Sequence, residues 1–305
     1  MNIRPYIDLA RPDHWFKNIF MVPGILLVIF FSPEVATNLD YFKIALGFIS
    51  ACLVASSNYV INEILDAPGD LHHPEKKNRP IPAGQVKESL AYAQWLSLAI
   101  AGFMVAYLVG VHFICSAVLL WIMGLLYNVR PFRMKDMPYG DVLCESINNP
   151  IRMAMGWYAT GLDSFPALSV LFTYWMFGAF LMATKRFAEY RSFDEAGRAA
   201  NYRASFSYYT ERRLLDCMIF YISLFIMLSG FFIAKYRLEL ILATPVIFVC
   251  IAYYFHLSFQ EDSPVQKPEH LWKARKLMLL TSSSGMLCVV LLFKDIDVLQ
   301  KLSNL

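Results

Sequence analysis

Apolar runs close to 20 residues long recur along most of this chain. An α-helix needs about 20 apolar residues to cross the hydrocarbon core of a bilayer. The 305 residues are 57% hydrophobic and only 17% charged, whereas soluble domains carry about 25% charged residues. The sequence therefore predicts an all-α polytopic membrane protein rather than a set of soluble domains.

The apolar runs predict nine membrane helices within a single integral membrane domain spanning residues 1–305. The predicted helices are residues 19–32, 42–65, 88–109, 111–127, 141–160, 166–185, 213–234, 238–257 and 276–293. Pro150 is expected to interrupt the fifth of these helices. Residues 1–17 carry Trp15 and Phe16 beside cations, which predicts an interfacial N-terminal segment.

The distribution of cations predicts the topology. Most of the 27 Lys and Arg residues fall in the N-terminal segment and in the loops after the second, fourth, sixth and eighth predicted helices. Because cytoplasmic loops collect such residues, the N-terminus is expected in the cytoplasm and the C-terminus outside. The long polar loops, about residues 66–87, 128–140 and 186–212, then share the cytoplasmic face. A bacterial plasma membrane is the expected location.

The second predicted helix ends in a group of polar residues. Asn58, Asn62 and Asp66 are spaced by four, so they lie on one face of a helix. Pro68 is expected to end the helix, leaving Asp70 on a loop that can turn back toward Asp66. Carboxylate and amide oxygens suit Mg²⁺ shared with substrate phosphates. A solvated helix end is the alternative, but amides this deep in a membrane helix usually face a cavity or a partner.

Cations follow these acids along the chain. Lys76, Lys77 and Arg79 are placed to hold the remaining oxygens of a diphosphate. Together with a metal they would stabilise the charge on a departing pyrophosphate. His72 and His73 are expected to be loop residues, because no cysteine or spaced histidine accompanies them to form a zinc site.

The wider sequence resembles a known family at this motif. Asn62-x3-Asp66-x3-Asp70, followed by NRPIPAG at residues 78–84, is similar to the first aspartate-rich motif of the UbiA superfamily of intramembrane transferases. The resemblance covers essentially the whole chain. It implies nine helices around a central cavity open to the cytoplasmic side, with Mg²⁺ binding a diphosphate substrate. Such enzymes usually transfer a prenyl group to an aromatic or lipid acceptor.

Further stretches resemble the decaprenyl-phosphate phosphoribosyltransferase branch of that superfamily. They are RPDHWFKN at residues 11–18, Ile151-Arg152 with Gly156, KRFAE at residues 185–189, and S-x-x-SYYT from Ser205. The branch implies a 5-phosphoribosyl diphosphate donor and a polyprenyl phosphate acceptor.

The stretch after the sixth predicted helix distinguishes the two kinds of donor. Prenyltransferases of the superfamily generally carry a second aspartate-rich motif there. This chain has Lys185, Arg186 and Glu189, followed by Asp194 and Glu195. Cations at this place favour an additional anionic group, such as the 5-phosphate of phosphoribosyl diphosphate. Ordinary positive charge at a cytoplasmic helix end is the alternative.

The loop between the fourth and fifth predicted helices supplies an aromatic residue and cations. The family has a Tyr and a Lys here that contact the diphosphate, which implies this role for Tyr127 and Lys135, with Arg130 beside them. The wording YNVRPFR-x-KD is closer to general prenyltransferases than to the phosphoribosyl branch. It therefore favours the alternative donor, a prenyl diphosphate.

The fifth predicted helix contains three more candidate residues. Asp141 and Glu145 are four apart and share a helix face. They are placed to bind a metal or a ribose hydroxyl, with a solvated helix start as the alternative for Asp141. A cation as deep as Arg152 needs a partner or a purpose. Asp141 and Glu145 are its candidate structural partners, and a lipid phosphate is the functional one.

The leading hypothesis is a Mg²⁺-dependent phosphoribosyltransferase. Asn62, Asp66 and Asp70 would hold the metal, with Asp66, Asp70 and Lys135 as the catalytic residues. The remaining candidates would bind substrate: Lys17, Asn58, Arg79, Tyr127, Arg130, Asp141, Glu145, Arg152, Lys185, Arg186 and Glu189.

Two alternatives remain. One is a prenyltransferase or terpene cyclase with the same fold and metal, and the other is a transporter or lipid-binding protein. The expected partners are the diphosphate donor, a polyprenyl lipid acceptor and membrane lipids, and not nucleic acid. A homo-oligomer is compatible with the sequence.

Overall fold

The computed structural model of the protein describes residues 3–71, 76–193 and 203–299, with residues 268–270 described by their backbone alone. These residues form α-helices, 3₁₀-helices and loops, and no β-strand occurs among them. The predicted loop residues His72 and His73, and the acidic pair Asp194 and Glu195, lie outside the described residues.

The α-helices are labelled here in chain order. They are α1 (Arg4–Ala10), α2 (Val22–Phe31), α3 (Pro33–Ala36), α4 (Tyr41–Asp70), α5 (Glu88–Val109), α6 (Val111–Asn128), α7 (Gly140–Ser146), α8 (Asn148–Ala159), α9 (Leu168–Arg191), α10 (Glu211–Tyr236), α11 (Thr244–Leu257) and α12 (Arg275–Phe293).

Eight helical segments of the described chain are long and apolar enough to cross a membrane. They are Arg4–Phe31, Tyr41–Asp70, Glu88–Val109, Val111–Asn128, Leu168–Arg191, Glu211–Tyr236, Leu238–Leu257 and Arg275–Phe293. These segments confirm the predicted all-α membrane architecture. The first is longer than predicted, because α1, a 3₁₀ segment (Pro12–Met21) and α2 follow one another along the chain.

The fifth predicted helix, residues 141–160, is divided into two shorter helices. α7 has 7 residues and α8 has 12 residues, and Ile147 separates them. Pro150 lies in the first turn of α8, where its missing N–H and its ring are tolerated. The same ring would clash with a helix continuing from the preceding turn, which explains the break at Ile147. The count of nine spanning helices stays a prediction.

The helices group into two compact units, Met1–Pro166 and Ala167–Leu305. In the first unit α4 packs against α5 and α6. Val54, Phe113 and Met155 belong to its buried apolar core. Asp40 begins α4 by accepting hydrogen bonds from two backbone N–H groups of the first turn, each at 3.1 Å.

Helices α2 and α8 make backbone contact through two glycines. A Cβ atom on Gly24 would lie 1.9 Å from the carbonyl oxygen of Met153, and one on Gly156 would lie 1.9 Å from that of Met21. Any larger residue at either position would force the two segments apart. The close crossing brings the N-terminal 3₁₀ segment against α8.

The second unit is organised around α9 and α10, which pack along one another. The rings of Phe177 on α9 and Phe225 on α10 lie 4.9 Å apart. Tyr254 on α11 donates its hydroxyl to the carbonyl of Leu181 at 3.5 Å, which ties α11 to α9. Apolar side chains therefore hold this unit together, with a few polar contacts between helices.

Candidate active site

Helix α4 presents a regular stripe of polar residues. Four residues spaced by four form the stripe: Asn58, Asn62, Asp66 and Asp70. The prediction that Pro68 ends the helix before Asp70 is wrong, because α4 continues through Asp70. The backbone N–H of Leu71 still donates to the carbonyl of Ala67 at 3.2 Å. The helix therefore continues past Pro68, although this proline cannot donate to the carbonyl of Ile64, and Asp70 extends the stripe on the helix itself.

The carboxylate of Asp66 is contacted by two cations from the loop between α6 and α7. Lys135 Nζ lies 2.5 Å and Arg133 Nη2 lies 3.0 Å from Asp66 Oδ1. Arg133 also donates through Nε to Asp136 at 2.7 Å, which fixes its guanidinium. The structure therefore brings the predicted Lys135 and Asp66 together, and it adds Arg133, which sequence reasoning missed as a site residue.

Asn62 reaches the same lysine through Asn128, the last residue of α6. Asn62 Nδ2 donates to Asn128 Oδ1 at 2.5 Å, and Lys135 Nζ donates to that same oxygen at 2.9 Å. These three side chains form one connected network with Asp66 and Arg133, which we call the Asp66 cluster: Asn62, Asp66, Asn128, Arg133 and Lys135.

The loop after α4 returns to that helix through two acids. Arg79 Nη1 lies 2.6 Å from Asp70 Oδ2. The cation predicted to bind the donor therefore forms an ion pair with an acid predicted to bind the metal. Glu63, only 1% exposed, accepts from the backbone N–H of Ile81 at 3.1 Å. Arg11 Nη2 lies 3.5 Å from the other oxygen of Glu63. Glu63 therefore fastens both the N-terminal segment and the loop to α4.

The oxygen donors on α4 fit a shared Mg²⁺ site rather than a closed metal cage. Within the described parts of the chain, no group of three or more His, Cys, Asp or Glu residues is placed to hold a metal. The stripe offers two carboxylates and an amide, and Mg²⁺ usually takes one or two carboxylates and fills its shell with waters and substrate phosphates. The ligand set Asn62, Asp66 and Asp70 stays a prediction that the donor chemistry permits.

Helix α7 carries two predicted site residues: Glu145 contacts the end of α6, and Asp141 is buried. The hydroxyl of Tyr127 donates to Glu145 Oε2 at 3.1 Å, which ties α6 to α7. Asp141 is 0% exposed at the start of α7. The alternative that Asp141 is a solvated helix start is therefore wrong.

Three other predicted site residues lie outside the hydrogen-bonded Asp66 cluster. Asn58 Nδ2 donates to the carbonyl of Leu120 at 2.9 Å, and its side chain fills the space over Gly124, where a Cβ would lie 2.2 Å away. Asn58 therefore packs α4 against α6. Lys17 Nζ lies 5.8 Å from the centre of a tyrosine ring on α4. Arg130 is exposed, and the described residues give it no hydrogen bond or ion pair.

Arg152 donates hydrogen bonds to the side chain of Asn18 and to the backbone of Asn148, which belong to two segments of the first unit. Its side chain is buried, with Arg152 Nε donating to Asn18 Oδ1 at 2.9 Å and Nη1 reaching the carbonyl of Asn148 at 3.4 Å. Asn18 in turn donates through Nδ2 to Cys52 Sγ at 3.1 Å. The glycine crossing of α2 and α8 therefore places the N-terminal segment on this buried cation.

In the second unit, the predicted cations surround one acid. Arg186 Nη1 lies 2.7 Å from Glu189 Oε2, with side-chain exposures of 1% and 10%. Lys185 Nζ lies 3.8 Å from the other oxygen of Glu189, and its side chain is 19% exposed. Arg186 is therefore committed to a buried ion pair, and Lys185 is the more accessible cation.

The family model described as the UbiA prenyltransferase family matches residues 21–282. The chain belongs to the UbiA prenyltransferase family. The long apolar helices and this membership together indicate an integral membrane protein.

Two curated relatives of this chain share one name, decaprenyl-phosphate phosphoribosyltransferase. The chain is 30% identical over 216 residues to the decaprenyl-phosphate phosphoribosyltransferase of Mycolicibacterium smegmatis, covering 68% of this chain and 63% of that protein. It is 29% identical over 214 residues to the enzyme of that name from Mycobacterium tuberculosis, covering 68% of this chain and 67% of the relative. The chain thus spans somewhat less than two thirds of the first relative.

Solved UbiA structures share the fold. A UbiA homolog from Archaeoglobus fulgidus bound to DMAPP and Mg²⁺ superimposes with a TM-score of 0.69 at 16% identity, covering 94% of this chain and 99% of that chain. The same homolog bound to GPP and Mg²⁺ gives a TM-score of 0.70. At this identity the likeness establishes the UbiA fold of the present chain.

Several residues that structure this UbiA site were missed from the sequence. Asn128 directly follows the predicted Tyr127, and Asn18 directly follows the predicted Lys17. Polar neighbours of predicted site residues were thus an available signal. Glu63 lies within the acidic stretch of α4, but nothing in its spacing indicates that it faces the returning loop.

Proposed function

We propose that this UbiA protein moves the 5-phosphoribosyl group from phosphoribosyl diphosphate to a polyprenyl phosphate in a Mg²⁺-dependent reaction. The observation that carries the proposal is the Asp66 cluster, in which one carboxylate oxygen of α4, Asp66 Oδ1, lies within hydrogen-bonding distance of both Lys135 and Arg133. A metal-bound diphosphate needs oxygens for the metal and cations for its remaining oxygens. The names of the relatives at about 30% identity support the choice of donor and acceptor.

Each part of the cluster has a defined role in this proposal. Three residues of α4 would hold the ion: Asn62, Asp66 and Asp70. When bound there, Mg²⁺ neutralises charge on the departing pyrophosphate. Lys135 and Arg133 would turn N–H groups from Asp66 toward the diphosphate, and Arg79 would do the same from Asp70. Lys17 and Arg130, which make few contacts of their own, would add positive charge at the edge of the site.

The transfer breaks the bond between the anomeric carbon and the diphosphate oxygen, and pyrophosphate keeps the electron pair. A phosphate oxygen of the acceptor forms the new bond to that carbon. No strong general base is required, because a phosphate is already anionic near pH 7. Asp141 and Glu145 would bind ribose hydroxyls, since carboxylates accept from hydroxyl groups. Tyr127 would contact the diphosphate, an assignment that rests on the sequence resemblance.

The acceptor and the far end of the donor are assigned to other cations. Arg152 would bind the phosphate of the polyprenyl phosphate, with Asn18 holding its guanidinium in place. Lys185 and Arg186 would bind the 5-phosphate, an assignment that rests on the sequence resemblance. The pairing of Arg186 with Glu189 makes Lys185 the stronger of these two candidates.

The topology follows from the distribution of cations. Loops rich in Lys and Arg face the cytoplasm, so the Asp66 cluster would open to the cytoplasmic side of a bacterial plasma membrane. Phosphoribosyl diphosphate is a water-soluble, highly charged molecule, and it would reach the cluster from that side. The polyprenyl chain would enter from the bilayer.

A second candidate keeps the fold and the metal but uses a prenyl diphosphate donor. The Archaeoglobus fulgidus structures bound to DMAPP or GPP with Mg²⁺ favour this alternative, as does the YNVRPFR wording after α6. The cations Lys185 and Arg186 disfavour it, because a prenyl diphosphate has no additional phosphate for them.

The donor can be identified by labelling. Membranes containing the expressed protein are offered phosphoribosyl diphosphate labelled in the ribose, or prenyl diphosphate labelled in the chain, each with Mg²⁺ and polyprenyl phosphate. The proposal predicts that ribose label enters the lipid fraction and that membranes with Asp66→Asn protein incorporate far less. Incorporation of the prenyl label alone would replace the proposal with the alternative.

A further inference from the structure

We propose that Asn128 is a positioning residue that fixes the amide of Asn62 with its oxygen free for the metal. Asn128 is the last residue of α6 and is 3% exposed. It is not one of the predicted ligands, so it would act on the metal through Asn62. The inference rests on the proposed function, because it concerns the same metal.

The orientation of the Asn128 amide is determined by two partners that each permit only one arrangement. Its Nδ2 donates to the carbonyl of Gly124 at 2.8 Å, and a carbonyl can only accept. Its Oδ1 accepts from Lys135 Nζ at 2.9 Å, and an ammonium group can only donate. Both partners require the same orientation, with Oδ1 directed at the site.

This orientation passes on to Asn62. Because Asn128 Oδ1 can only accept, the group of Asn62 that faces it must be Nδ2, and the two atoms lie 2.5 Å apart. The oxygen of the Asn62 amide is then directed away from Asn128. Asn62 is half-buried, and its Oδ1 has no hydrogen bond to any residue that the structure describes.

An amide can ligate Mg²⁺ through its oxygen but not through its NH₂ group. With Asn128 in place, Asn62 presents its ligating Oδ1 to the site, while its Nδ2 is hydrogen-bonded to Asn128. Without the acceptor at position 128, the Asn62 amide is free to turn and present NH₂ toward a cation. Removing such an outer partner of a metal ligand typically weakens metal binding or activity 10–100-fold.

The test measures metal binding by purified protein in detergent, without any donor. Mn²⁺ is the probe, since its free fraction is read from its electron paramagnetic resonance signal. Asn128→Leu is expected to raise the dissociation constant for Mn²⁺ by about 10–100-fold, because no acceptor for Asn62 remains. Asn128→Asp loses the donor to the carbonyl of Gly124 but keeps an acceptor oxygen for Asn62. It is expected to bind Mn²⁺ within about threefold of wild type, because the acceptor is what orients the Asn62 amide.

Ser57→Ala is the matched control. Ser57 is also buried on α4. Its hydroxyl donates to the carbonyl of Trp95 at 2.9 Å and accepts from Trp121 Nε1 at 3.2 Å, so the change removes contacts of α4 with both α5 and α6. The control variant should bind Mn²⁺ like wild type. A general loosening of α4 would instead weaken Mn²⁺ binding in the control as well, and that result would overturn a specific role for Asn128.

The outcomes separate this inference from the proposed function. Wild-type Mn²⁺ affinity in a folded Asn128→Leu variant would overturn the positioning role and leave the metal site intact. If the Leu variant does not fold, loss of more than tenfold affinity in Asn128→Asp would overturn it. Absence of Mn²⁺ binding by the wild-type protein, both alone and with pyrophosphate added to complete the metal shell, would overturn the proposed metal site together with the inference.

Discussion

Two groups of cations and carboxylates in this protein differ in their exposure. In the Asp66 cluster, the side chains of Asp66 and Arg133 are each 23% exposed. In the second unit, the side chain of Arg186 is 1% exposed and that of Glu189 is 10% exposed. Both groups contain short ion pairs, but the Asp66–Arg133 pair is more accessible to solvent than the Arg186–Glu189 pair. From the sequence, Asp66 was assigned to the metal and to catalysis, and Arg186 and Glu189 were assigned to substrate binding.

The difference in exposure determines what each group can do. A buried ion pair loses its partner only at the cost of an uncompensated charge in a medium of low polarity. A partly exposed pair can exchange its partner for a ligand or water at modest cost. We therefore expect substitutions at the buried pair to affect stability and substitutions in the Asp66 cluster to affect activity.

The largest expected effect is on stability, at the buried pair. Glu189→Gln removes the charge that faces Arg186 and should destabilise the second unit by about 3–5 kcal/mol. Thermal unfolding in detergent should show a fall in Tm of about 10 °C. A variant that unfolds like wild type would show that the pair is not structural.

Glu211→Gln is the matched control for that prediction. Glu211 pairs with Arg191 in the same unit, but the side chains are 47% and 36% exposed. Exposed pairs contribute about 0–1 kcal/mol, so this variant should unfold within a few degrees of wild type. Equal effects of the two substitutions would remove the distinction by exposure.

The second-largest expected effect is on catalysis, at Lys135. Lys135→Met removes the charge that contacts Asp66 and Asn128 while keeping much of the length of the side chain. It should lower kcat/KM for the donor about 100-fold, or about 2.7 kcal/mol of transition-state stabilisation, because a cation on the leaving diphosphate is lost. Steady-state kinetics with varied donor concentration measure this. The control Lys43→Met, at the exposed opposite end of α4, should retain wild-type kinetics.

The smallest effect is expected at Glu63. Glu63→Ala removes the acceptor for the N–H of Ile81 and releases the loop that carries Arg79. The donor KM should rise about tenfold with a smaller change in kcat, because a less ordered loop weakens donor binding more than it slows the chemical step. Glu63→Gln keeps an acceptor for Ile81 and should stay within about threefold of wild type. Equal KM values for the Ala and Gln variants would refute this role of the hydrogen bond.

The sequence predicted much of the fold for a simple physical reason. In a bilayer every spanning segment must be apolar and helical, so the runs of apolar residues give the spans directly. The spacing of Asn62 and Asp66 likewise placed them on one face of α4, because helical periodicity is local. These features depend on residues close together in the chain.

The errors arose where contacts between distant segments decide the structure. Pro68 was expected to end α4, but the helix continues past the proline and Asp70 stays on the helix. Nothing in the sequence indicated that the amide of Asn58 packs over Gly124 of α6; its assignment to substrate stays a prediction. Arg133 approaches Asp66 from 67 residues away, and periodicity carries no signal for such a pairing.

The central claim is that oxygen donors of α4 act on a metal-bound diphosphate, and pyrophosphate release tests it most directly. Purified wild-type protein and Asp66→Asn are given phosphoribosyl diphosphate and polyprenyl phosphate, with and without Mg²⁺. The account predicts Mg²⁺-dependent pyrophosphate release by wild type and a loss of about 1,000-fold in the variant. Release by Asp66→Asn at the wild-type rate would contradict it.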